Sequence, residues 1–87
     1  MRRKFATQKF LRSYGSFLEK HPELEAKTEK VMAQIVAGQT AGLRAHSLHG
    51  PPKGFHAARI SDDYRLIFAL ESDAVTFIDI GSHDEVY

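Results

Sequence analysis

Phe55-His56-Ala57-Ala58-Arg59-Ile60, Tyr64-Arg65-Leu66-Ile67-Phe68-Ala69-Leu70-Glu71 and Val75-Thr76-Phe77-Ile78-Asp79-Ile80 are three short apolar runs. The polar triplets Ser61-Asp62-Asp63 and Ser72-Asp73-Ala74 separate them. Short runs joined by such connections read as strands in tight hairpins, and three in succession form an antiparallel meander. Side chains alternate along a strand, so Tyr64, Leu66, Phe68 and Leu70 share one face of the middle strand, with Arg65, Ile67 and Ala69 on the other. The first face is the more apolar and needs a covering layer.

That layer lies upstream. Before residue 40 the apolar residues follow a helical period. Phe10, Leu11, Tyr14, Phe17 and Leu18 fall on one side of an amphipathic helix. Thr7 is placed to cap its start, and His21, standing before Pro22, marks its end. Pro22 suits the first turn of a second helix, whose inward stripe is Leu24, Thr28, Val31, Met32, Ile35 and Val36. Gly38 suits its C-terminal stop. Arg3–Ala6 is short but fits an edge strand. Gln39–Gly54, with Gly42, Gly50, Pro51, Pro52 and Gly54, reads as a loop. The expected fold is α+β: an N-terminal helical hairpin on a small antiparallel sheet, made of a short N-terminal strand and the meander.

The 87 residues make one domain, 1–87, because two cores cut from so short a chain would be too small. With 43% hydrophobic and 26% charged residues the chain is too apolar to be disordered. Cysteine is absent, which excludes disulfides and thiolate metal sites. No apolar stretch reaches the roughly 20 residues that span a bilayer. Met1-Arg2-Arg3-Lys4-Phe5 is basic, but no apolar run follows it, so it does not read as a signal peptide. A cytoplasmic location away from membranes is expected. Charge is unevenly spread along the chain. Residues 1–60 hold eleven Lys/Arg against four Asp/Glu, a balance of +7, and residues 61–87 hold one against seven, a balance of −6. A basic first part attracts phosphate backbones; the plainer reading is that the two parts intermix in the fold and cancel.

The series His46-Ser47-Leu48-His49-Gly50, Lys53-Gly54-Phe55, Ala58-Arg59-Ile60-Ser61-Asp62-Asp63-Tyr64-Arg65-Leu66-Ile67-Phe68 and Phe77–Tyr87 with Gly81-Ser82-His83 resembles the RelE/ParE toxin superfamily. The element order agrees as well. The loop and terminal histidine are similar to the YafQ-like branch. The resemblance spans nearly the whole chain and is densest over 46–87. It implies the toxin of a type II toxin–antitoxin system: a metal-independent endoribonuclease that cuts mRNA, often in the ribosomal A site, and needs no cofactor. It also implies a cognate antitoxin protein as partner. ParE relatives share the fold but bind DNA gyrase, and that remains an alternative, as does an inactive relative that only binds an antitoxin.

Metal-free RNA cleavage requires a base for the 2′-hydroxyl proton, an acid for the leaving 5′-oxygen and cations for the phosphoryl charge. The resemblance assigns Arg59 to the phosphate, a role its planar, permanently charged fork suits. It assigns His83 to acid–base transfer, since imidazole titrates near working pH. Tyr87 matches a terminal aromatic that stacks on a base or moves a proton. His46 and Asp63 match functional residues of the YafQ-like branch. Lys53, Arg65 and Tyr64 are candidate RNA or phosphate contacts. Each also has a plainer reading. Arg59 can pair with Asp62 or Asp63 across a hairpin, Asp63 suits a tight turn, and Tyr64 can simply pack. His83, His46 and Lys53 can be solvated loop side chains, and Tyr87 a frayed terminus. His49 and His56 match no family role. One position departs from the branch: Asp79 stands where YafQ-like toxins carry an arginine, so either it points away from the scissile phosphate or the charge pattern differs. The five histidines lack zinc-site spacing.

Overall fold

The computed structural model describes residues 3–39, 46–47 and 55–82. The chain forms β1 (Arg3–Ala6), α1 (Gln8–Lys20), a 3₁₀ turn (Pro22–Leu24), α2 (Glu25–Val36), β2 (His46–Ser47), β3 (Phe55–Arg59), β4 (Tyr64–Leu70) and β5 (Ala74–Ser82). The strands make one sheet in the order β1-β5-β4-β3-β2.

Thr7 fixes where α1 begins and where it sits. Its Oγ1 accepts the Phe10 N–H at 3.0 Å, an N-cap. The same hydroxyl donates to the Ile78 carbonyl at 3.2 Å, and the Thr7 N–H donates to Phe77 at 3.1 Å. One residue therefore starts the helix and moors it to β5. At the other end the His21 N–H donates to Phe17, and Pro22 opens the 3₁₀ turn. Thr28 is fully buried in α2, and its hydroxyl donates to the Leu24 carbonyl one turn back at 2.8 Å. Gly38, at φ 80°, adopts the left-handed conformation that ends α2. Its N–H donates to Ile35 and that of Gln39 to Gln34, closing the last turn as a Schellman motif.

β3, β4 and β5 form the antiparallel meander. The N-terminal strand joins it in parallel, with Arg3 opposite Ala74 and Ala6 opposite Phe77, so the sheet is mixed. A parallel neighbour needs a long crossover, which the helices and the meander supply. At the opposite edge β2 pairs antiparallel to β3, inside the stretch read as loop. Between β4 and β5 the register slips: Ile67 faces Asp79 and Phe68 faces Phe77, leaving Ile78 as the extra residue of a bulge.

The helices cover the apolar face expected of β4. Phe10, Phe17, Val31 and Ile35 pack on Leu66, Phe68, Val75, Phe77 and Ile80, with Tyr64 and Leu70 at the margin. Phe10 and Phe77 rings meet at 5.6 Å. Among the described residues no helix is long and apolar enough to cross a membrane.

Candidate functional site

Two rows of residues cross the sheet where β3, β4 and β5 come together at the Ser61–Asp63 turn. The inner row is Ala58, Leu66 and Ile80, which face the helices. The next row is Arg59, Arg65 and Gly81, on the opposite face by strand alternation. Two arginines thus stand opposite each other on the helix-free face. Like charges directly opposite repel unless each has a partner, and both do. Arg59 forms an ion pair with Asp62, three residues on. Arg65 Nη1 donates to the carbonyls of Ser61 at 2.7 Å, Tyr64 at 3.1 Å and Asp62 at 3.3 Å, tying the turn together. Arg59 keeps about a third of its side chain accessible, and its Asp62 partner is mostly solvated, so a competing anion can displace that pair at small cost. Asp63 is exposed in the same turn.

Tyr64, the next residue, points the other way. Its ring lies edge-on to Phe17, centroids 5.3 Å apart, and its Oη stands 2.6 Å from His21 Nε2. His21 Nδ1 lies 3.5 Å from a Glu23 carboxylate oxygen. That carboxylate favours the proton on Nδ1, leaving Nε2 to accept from the phenol.

The Tyr64–His21 pair forms one end of a groove of about 420 Å³ between α1 and the sheet. From α1 the groove is lined by Lys9, Arg12, Ser13, Ser16 and Lys20, a stripe at helical spacing. β5 contributes Asp79, Ile80 and Gly81. Asp79 is tied down twice: its carboxylate meets Lys9 Nζ at 3.3 Å and accepts the Ile80 N–H at 2.9 Å. Its charge is therefore compensated within the fold.

Of the residues singled out in the sequence, Arg59, Asp63, Tyr64 and Arg65 gather at the β3–β4 turn, with Tyr64 on the opposite face from the two arginines. Lys53, His83 and Tyr87 lie outside the described residues. His46 is described only as a strand residue opposite Ala57. β5 runs to Ser82, opposite Tyr64, and His83 follows it in the chain. His56 stacks on Phe68 with centroids 5.5 Å apart. Sequence reasoning missed His21, read only as a helix stop, and the α1 stripe, whose spacing was legible but matches that of any solvated helix face. Among the described residues no three His, Asp or Glu side chains group as metal ligands would.

A family model described as "Bacterial toxin of type II toxin-antitoxin system, YafQ" matches residues 2–87. No curated protein matches the sequence significantly. Solved structures do match its fold. The toxin in the Escherichia coli DinJ–YafQ complex superposes with a TM-score of 0.88 at 20% identity, covering 100% of this chain and 99% of that one. A metal-bound toxin from Helicobacter pylori gives 0.87 at 20% identity, with 100% of both chains covered. The YoeB dimer from Staphylococcus aureus gives 0.79 at 13% identity, over 94% and 97%.

Proposed function

This chain belongs to the YafQ family of bacterial toxins of type II toxin–antitoxin systems, and we propose that it is a metal-independent endoribonuclease that cleaves mRNA in the cytoplasm, in association with the ribosome. The 2′-hydroxyl attacks the adjacent phosphorus and the 5′-oxygen leaves. Arg59 balances the charge that builds on the phosphoryl oxygens. His83 transfers the proton. Tyr87 holds a base by stacking, with His46, Asp63 and Lys53 arranged around the phosphate. Arg65 supports Arg59 by holding the turn and by its field.

The observation that carries this reading is the Arg59–Arg65–Gly81 row. It sets a displaceable Arg59–Asp62 pair beside the strand end that leads directly to His83. The Lys9–Asp79 pair supports it too, because it neutralises the one carboxylate that departs from the branch pattern. The partner is a cognate antitoxin, as DinJ is for the E. coli protein of the same fold. Primer extension across cellular mRNA after induction, beside a gyrase supercoiling assay, tests the proposal. New mRNA ends with unchanged supercoiling are expected. Intact mRNA with inhibited gyrase would overturn it.

A further inference from the structure

We propose that the groove along α1 is a second RNA contact, binding backbone phosphates of the strand that runs from the cleavage site. The inference rests on the nuclease reading and extends it to a surface that the catalytic assignment does not use. Lys9, Arg12 and Lys20 line the groove against a single carboxylate, Asp79, which Lys9 already satisfies. Arg12 and Lys20 have no ion-pair partner among the described residues. Ser13 and Ser16 stand between them on the same stripe, offering hydroxyl donors. Residues 12 and 20 lie about 12 Å apart along the helix axis at 1.5 Å per residue. The groove is therefore an elongated run of cations and hydroxyls, which suits a phosphate chain better than a single small anion.

The chemistry favours RNA over a protein helix. A helix docking in a groove anchors through apolar side chains spaced along it, and here the aliphatic and phenyl lining is limited to Phe17 and Ile80. The lining includes Tyr64, which directly follows the Ser61–Asp63 turn on the face opposite Arg59 and Arg65, so a strand held in the groove has to pass around that turn to reach the proposed chemistry.

The test uses the full chain and a fluorescent single-stranded RNA methylated at every 2′-hydroxyl, which binds without being cut. Affinity is followed against salt for the wild type, R12Q, K20Q, the double variant R12Q/K20Q, and K27Q, an exposed α2 charge outside the groove. Each lost phosphate contact lowers the slope of log affinity against log salt by about 0.7. The double variant is expected to lose about 1.4 and to bind on the order of tenfold more weakly at low salt, with K27Q unchanged. A wild-type slope in R12Q/K20Q, or an equal loss in K27Q, overturns the proposal. Weakened binding of the cognate antitoxin with unchanged RNA binding also overturns it, assigning the groove to the protein partner. Cleavage of unmodified RNA by the wild type is measured in parallel: cleavage without a slope change removes the groove alone, whereas neither binding nor cleavage removes the nuclease reading with it.

Discussion

Tyr64 Oη and His21 Nε2 stand 2.6 Å apart and join the start of β4 to the end of α1. The imidazole is held in turn by Glu23 and lies against the rings of Phe17 and Tyr64. A hydrogen bond of this kind stabilises a fold by about 1 kcal/mol net. Tyr64→Phe keeps the ring packing and removes only that bond. A loss of about 1 kcal/mol in denaturant unfolding is expected, with His21→Phe adding little more in the double variant. Fully additive losses would show that the two groups are not coupled.

The Lys9–Asp79 pair makes a different prediction. Lys9 is mostly exposed, so breaking the pair costs stability only about 0.2–1 kcal/mol, less at high salt. Function should feel it more. Lys9→Ala leaves an uncompensated carboxylate in the groove that we propose holds RNA, and RNA cleavage is then expected to fall several-fold. Adding Asp79→Asn should restore it. A double variant as impaired as Lys9→Ala would show that the carboxylate's charge is not the cause.

Tyr14 supplies a pH prediction. Its Oη is buried without a hydrogen-bond partner among the described residues. Burial, and then the nearby Glu29 and Glu25 carboxylates, push its pKa above the ordinary phenol value. The folded state therefore favours the neutral phenol more than the unfolded state does. That contribution is complete below the unfolded pKa, near 10, and is lost as pH rises through the higher folded value. Tyr14→Phe should be as stable as the wild type or up to about 1 kcal/mol more so, because the unsatisfied hydroxyl is gone. It should also show a smaller loss of stability above about pH 10. Unfolding curves at neutral and alkaline pH check both; identical alkaline losses would refute the second.

Much of this fold could be read locally. Thr7 as a cap, Pro22 at the opening of the second helical segment and Gly38 as its stop all act within a few residues, and each does so in the structure. The meander was legible because alternation on β4 separates Leu66 and Phe68 from Arg65. The parallel seating of β1 was not, since Arg3–Ala6 is exposed throughout and shows no buried face, while its partner strand begins at Ala74. The two-residue β2 is too short for periodicity to mark. At the site, Arg59 and Arg65 were legible individually, but their opposition across β3 and β4 depends on register. His21 was not legible at all, because what defines it is a phenol 43 residues away. Asp79 looked like a defect in the charge pattern until the helix brought Lys9 against it.

The proposed cleavage requires Arg59 and His83 to act on one phosphate. The most direct measurement is the rate at which purified protein cuts a defined mRNA, on and off the ribosome, in the wild type, Arg59→Ala and His83→Ala. Each substitution is expected to slow cleavage at least tenfold, toward the 10²–10⁴ of a lost acid–base or charge-stabilising group, with the fold intact by circular dichroism. Wild-type rates in both variants would rule out this pair as the cleavage machinery.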